Sequence, residues 1–219
     1  MIARTRTPHP WRPFVFCLVV FLVLSCAGSP PQLLETFLQV TVFHDTELDA
    51  TYEQLTFFAH VRDEDGIDDV DALFLIHDET QLVWRLTPDK WVLRSRGTEN
   101  WLGAETLTMA DYTAFPRGSY RILVSDRAGR RDESVVTLAA RVEIDRATAP
   151  TLVLSGDELR VVSDHDRTIV RFFSPAGTLL RTTDEPTIPI GDVGGAGGVR
   201  AFLYADLGGY GVAAGPFVF

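Results

Sequence analysis

The chain has 219 residues, a formal net charge of −10 and an apolar fraction of 46%. That apolar fraction excludes a disordered chain, and the acidic balance argues against nucleic-acid binding or polybasic membrane binding. With Cys17 and Cys26 the only cysteines, a zinc site built from cysteines is excluded as well.

Arg4, Arg6 and Arg12 open the chain with no acidic residue among them, and Phe14 to Leu24 is an unbroken apolar run. A run of that length suits the core of a secretory signal and falls short of the roughly 17–25 residues that span a bilayer. It ends in Val23-Leu24-Ser25-Cys26. These four residues resemble the bacterial lipobox, with leucine at the second place where alanine or serine is usual. The resemblance implies cleavage before Cys26 and acyl chains on that cysteine. Each buried methylene contributes about 0.8 kcal/mol, so one acyl chain holds marginally and two or more hold stably. The expected parts are therefore a signal peptide over 1–25 and a lipidated tether over 26–33, containing Gly28, Ser29, Pro30 and Pro31. Cleavage removes three arginines, no acids and Cys17. It takes the charge to about −13 and leaves no disulfide, although the compartment permits one. The expected location is the cell envelope, lipid-anchored. Ala27, rather than aspartate, follows the cysteine and resembles outer-membrane sorting, so the outer membrane is expected before the inner one.

Period-two alternation then dominates, the mark of half-buried strands. Leu38, Val40 and Val42 alternate with polar residues, as do Leu55, Phe57, Ala59 and Val61. Val70, Ala72, Phe74 and Ile76 read as one face, with Asp71 and His77 on the other. Residues 81–86 and 91–94 read as short strands around the turn Thr87-Pro88-Asp89-Lys90, and a short helix is predicted weakly around Ala104 to Thr113. Tyr120, Ile122 and Val124 form a further face, followed by the alternation from Val136 to Ile144.

Pro116 to Gly129 carries a Pro/Gly turn, a tyrosine, alternating apolar residues and Asp126-Arg127-Ala128-Gly129. Val61 to Val70 carries the acidic turn Asp63-Glu64-Asp65-Gly66. Both resemble strand connections of bacterial immunoglobulin-like and fibronectin type III-like domains. The resemblance implies an immunoglobulin-like β-sandwich over 34–146, without the paired cysteines of antibody domains. Thr148-Ala149-Pro150 reads as a boundary, after which short apolar runs, the turn Ser174 to Gly177 and glycine-rich 191–198 predict a smaller β-sandwich-like unit over 147–219. The expected fold class is all-β.

The strongest charge feature is Asp63, Asp65, Asp68 and Asp69, with neighbours Glu64 and Asp71. Calcium favours such oxygen-rich turns, but no bidentate glutamate completes the helix–loop–helix motif, so a solvated turn is the first expectation and calcium a weak one. Otherwise no cofactor is expected. In the implied fold, this turn and the hairpin bearing Arg127, Arg130 and Arg131 share one end, near the tether. The charges there are expected to satisfy each other, with recognition as the alternative. Trp84, Trp91 and Trp101 are expected in the core or at its edge, with a sugar-stacking platform as the alternative. His44, His60, His77 and His165 show no metal spacing and are expected on the surface. No nucleophile elbow, phosphate loop or selected acid pair appears. The expected function is a non-enzymatic, membrane-anchored module that binds an envelope protein partner. Glycan or peptidoglycan binding comes second, and an envelope hydrolase with an unidentified acid pair is the weakest alternative.

Overall fold

The computed structural model describes residues 28–140, 142, 148–194 and 197–219. The residues expected to form a signal peptide, Cys26 and most of the expected junction around 146/147 lie outside the described residues.

Period-two patterning produces strands nearly throughout. Those of the first half are β1 (Gln32–Asp45), β2 (Ala50–Arg62), β3 (Val70–His77), β4 (Leu82–Leu86), β5 (Val92–Arg96), β6 (Glu99–Leu107), β7 (Gly118–Asp126) and β8 (Arg131–Leu138). The second half has β9 (Thr151–Ser155), β10 (Glu158–Val162), β11 (Ile169–Phe173), β12 (Leu179–Thr183), β13 (Thr187–Pro189), β14 (Arg200–Asp206) and β15 (Gly211–Val218). In the first half, β1-β2-β6-β5 faces β4-β3-β7-β8. Named A to G with a C′ strand, these are the ABED and C′CFG sheets of an immunoglobulin-like sandwich.

The inner faces meet in one core. Val40, Leu55, Phe57, Ala59 and Leu102 from one sheet pack with Leu73, Leu75, Tyr120, Ile122 and Val124 from the other, all without solvent exposure. Burying a Leu, Ile or Phe side chain of this kind contributes about 1.5–3 kcal/mol. At the start of β7 the Tyr120 hydroxyl donates to the Pro116 carbonyl at 2.7 Å. This is the tyrosine corner of the fold class.

Burial pushes the Tyr120 phenol up to about 12, with the Glu53 carboxylate adding to the rise and Arg117 opposing it. In the unfolded chain the phenol titrates near 10. Between these values the unfolded chain has lost a proton that the folded chain keeps, so stability falls as pH rises from about 10 to 12. The urea midpoint should therefore drop between pH 9 and pH 11. Tyr120→Phe should flatten that drop by one proton while losing about 0.5–1.5 kcal/mol at neutral pH for its hydrogen bond.

Several expectations need correction. The register between β3 and β7 shifts between Val70 and Ala72. This bulge reverses the parity read from the sequence: Leu73 and Leu75 enter the core, while Phe74 and Ile76 point out. His77 consequently turns inward. It is 2% exposed, bonded to Thr80 at 2.8 Å and packed on the Tyr120 ring at 4.8 Å. His44 is also buried, against Thr51 at 3.1 Å. Neither of these two is the surface histidine expected. The helix predicted around Ala104 to Thr113 is instead the end of β6 followed by a turn, with Tyr112 at a φ of 57°. The turn after β4 does not close a hairpin, because β4 and β5 belong to opposite sheets.

The second half has its own smaller core, in which Leu159, Val170, Phe172, Ile188, Ala201 and Leu203 are all without exposure. Its β13-β10-β9 sheet stands apart, but β12-β11-β14-β15 continues the sheet of the first half. The link is β1: its far half, Thr41 to Asp45, pairs in parallel with Gly211 to Gly215. Phe43, Tyr52 and Ala213 seal this joint. The sequence suggests a small sandwich packed on the first; the contact is a shared hydrogen-bonded ladder.

Candidate functional site

Three surfaces bring the expected site residues together, or keep them apart. The first is the loop end of the sandwich. The β7–β8 hairpin is closed by Gly129 N–H to Asp126 C=O at 3.0 Å, with Gly129 at a φ of 81°. Asp126 is buried and holds Arg130 twice, accepting from its N–H at 2.8 Å and its Nε at 2.6 Å. Arg130 then reaches across to Asp65 at 3.3 Å and Asp69 at 3.8 Å, and the Arg127 N–H donates to the Asp69 carbonyl at 2.9 Å. The acidic turn and the basic hairpin are thus neighbours.

The carboxylates that gather most tightly are not the expected four. Oxygens of Asp63, Asp69 and Asp126 lie within 4.8 Å of one another. Asp65 is turned to Arg130, and Asp68 is exposed outside the group. Asp126, on the far hairpin, was not visible as a member from the sequence. The counter-charge in place is the Arg130 guanidinium. Burial opposes ionisation of Asp126, yet the bonds from Arg130 together outweigh it and hold its carboxyl below the usual range. Asp63 is pushed the other way, first by desolvation and then by the carboxylates of Asp69, Asp65 and Asp126.

The segment leading into β1 enters here. Ser29 Oγ donates to Glu64 at 2.7 Å, and Leu33 N–H donates to Asp132 at 2.7 Å. A Cβ on Gly28 would lie 1.9 Å from an Asp65 carboxylate oxygen and 2.8 Å from Arg130, so the chain before β1 passes close against these two side chains.

The second surface concerns the tryptophans. Trp84 and Trp91 pack against the first core, Trp84 with its ring 5.5 Å from Phe115. Trp101 faces outward from β6, stacked on His60 at 5.2 Å. It lines a groove of about 430 Å³ with Phe37, Phe58, Arg94, Arg96 and Glu99. The three tryptophans therefore form no common platform. Phe37 and Phe58, which the sequence reading did not select, join Trp101 instead.

The third surface is the outward face of β4-β3-β7-β8, created by the β3 bulge. Phe74, Ile76, Val83 and Leu123 floor a groove of about 680 Å³ rimmed by Arg85, Arg121, Arg127 and Arg131. Arg130 is committed inward, whereas Arg127 and Arg131 are exposed and have no ion pair among the described residues.

The sheet order and the tyrosine corner define the class: an all-β protein with an immunoglobulin-like sandwich that shares one sheet with a smaller β unit. No family model matches the chain, and no curated protein matches it. Among solved structures it is similar to Tp47, the 47-kilodalton lipoprotein of Treponema pallidum, at 11% identity and a TM-score of 0.42, over 87% of this chain and 52% of that one. It thus spans about half of that protein's length. It is also similar to the BSP domain of a biofilm-associated protein (13% identity, TM-score 0.26, 74% of this chain and 26% of that one). A third likeness is to Dpr11 IG1 bound to DIP-gamma (10% identity, TM-score 0.26, 84% and 97%). Likenesses this loose carry no function to the chain.

Proposed function

We propose that the chain is a lipoprotein of the cell envelope, acylated on Cys26, held at the outer membrane and acting as a non-enzymatic protein-interaction module. The observation that carries this reading is the seating of the tether. Ser29 is bonded to Glu64 of the acidic turn, Gly28 lies close beside Asp65, and two peptide steps, at most about 7 Å of chain, separate Gly28 from Cys26. An acyl anchor there holds the loop end of the sandwich against the bilayer. The far half of β1 lies up to about 45 Å along a 14-residue strand and carries the second unit outward. In producing cells, the full chain should incorporate labelled palmitate and fractionate with membranes. Cys26→Ser should lose the label and appear in the soluble fraction. A Cys26→Ser chain that stays wholly membrane-bound after signal cleavage would sink the anchoring reading.

A second reading is favoured by the Trp101 groove. An indole held flat on a sheet beside Phe37, with Arg94, Arg96 and Glu99 around it, offers a stacking face and hydrogen-bonding groups for a sugar ring. Retention on insoluble peptidoglycan should then be lost on Trp101→Ala and kept on Arg127→Ala. Equal retention of both variants removes the glycan reading.

A further inference from the structure

We propose that the outward face of β4-β3-β7-β8 docks an extended acidic segment of a partner protein. This deepens the protein-interaction reading and rests on it.

Arg85 lies opposite Phe74 and Phe74 opposite Leu123; Val83 lies opposite Ile76 and Ile76 opposite Arg121. On β8 the same rows end in Glu133 and Val135, and Ser125 lies opposite Arg131. The result is an apolar strip of Val83, Ile76, Phe74 and Leu123, edged by Arg85, Arg121 and Arg131 and, on β8, by Glu133. Val83 is 55% exposed and Val135 64% exposed, so the strip is open to solvent.

The arginines differ in their commitments. Arg121 is held by Asp78 at 2.8 Å and Glu133 at 3.5 Å, and Arg85 meets Asp71 at 3.5 Å while its guanidinium lies 5.8 Å over the Phe74 ring. Arg127 and Arg131 rim the groove with no ion pair among the described residues. Of the groove's two acids, Asp126 is buried beneath Arg130 and Asp71 is met by Arg85. Asp71, Asp78 and Glu133 are met by Arg85 and Arg121, so the charge this face leaves uncommitted is Arg127 and Arg131, at one end of the apolar floor.

Charge complementarity names the occupant. Arginine forks bind carboxylates in pairs, and arginine with apolar side chains is the composition of protein interfaces. Extended chain alternating acidic and apolar residues places carboxylates at the rim and apolar groups on the floor. An anionic lipid headgroup fits less well, because it offers nothing to cover the apolar floor of Phe74, Ile76, Val83 and Leu123. A sugar fits less well too, because the groove's one aromatic ring, Phe74, lies under Arg85.

The test places a photo-crosslinking amino acid at Val83 of the full chain in producing cells, with a second at Val92, on β5 of the opposite sheet. The crosslinked peptide is then identified by mass spectrometry. The Val83 position should trap one protein through a segment rich in Asp and Glu. The double variant Arg127→Glu, Arg131→Glu should abolish that product while leaving the thermal midpoint unchanged. A synthetic peptide of the trapped segment should bind the purified chain in a salt-sensitive manner, on the order of tenfold or more weaker in the double variant. The proposal is overturned if Val83 traps a second copy of the chain, a glycan or a lipid, or if charge reversal leaves the product intact. Protein products from Val92 alone would overturn this face and keep the interaction reading; none from either position would remove both. Performing the experiment in Cys26→Ser as well separates docking from anchoring.

Discussion

Glu53→Ala is expected to cost about 3–5 kcal/mol, enough to unfold a marginal domain. Glu53 is 1% exposed on β2, and everything around it is arranged for a charge. Its carboxylate accepts from the Phe115 N–H at 2.8 Å and from both terminal nitrogens of Arg117, at 2.9 and 2.5 Å. Arg117 continues to the carbonyls of Phe115 and Ala140. The network ties β2 to the connection between β6 and β7, just ahead of the tyrosine corner. Alanine leaves a buried N–H without its acceptor and a guanidinium without its counter-charge, and each omission carries its own desolvation cost. Glu53→Gln keeps one acceptor and should lose less. Urea denaturation of the three proteins orders them, and a Glu53→Ala midpoint within error of the parent would refute the account. By contrast, Glu105→Ala removes an exposed pair with Arg94 and should change stability by less than about 1 kcal/mol.

Gly103→Ala is expected to be similarly damaging, about 3 kcal/mol or more, for a purely steric reason. Gly103 lies in the middle of β6, opposite Phe58 on one side and Val92 on the other. A Cβ there would sit 1.9 Å from the Phe57 carbonyl oxygen and 2.7 Å from the Phe58 Cα. Both are backbone atoms of the neighbouring strand, so no side chain can yield. The strands would have to separate beside Phe57, which is central to the core. Gly97→Ala is the matched control: its φ is 62°, nothing lies within 4 Å, and about 1 kcal/mol of left-handed strain is all it should lose. Thermal melts giving equal losses for the two would contradict the clash.

Local patterning made the sandwich legible. Tyr120, Ile122 and Val124 alternate cleanly and are all fully buried, and the turn residues around them resemble a fold class whose sheet order the structure has. The same logic misplaced Phe74 and Ile76, because one bulged residue reverses every later parity and leaves no mark in hydropathy. The neighbouring loops could be expected from topology. The identity of the third carboxylate, Asp126, and the choice of Arg130 over Arg127 and Arg131 as the inward residue depend on side-chain direction, which spacing does not encode. The Glu53–Arg117 pair joins residues 64 apart, one on a strand that reads as ordinary and one in the loop before β7. The shared sheet was equally hidden. Thr41 to Asp45 looks like the end of one strand, and nothing local says that its free flank is taken by Gly211 to Gly215.

That ladder fixes an order of events. A ribosome finishes the first strand long before the last, and partners at this joint are separated by about 170 residues. At translation rates of about 5–20 residues per second, the flank of β1 waits on the order of 10–30 s for its neighbour. Throughout that interval it is an unpaired strand edge, able to accept any passing extended chain. The seam between the halves is therefore the last part of the molecule to close. Until Gly211 to Gly215 is made, that flank stays an open edge, and a chain stopped short of β15 would expose it.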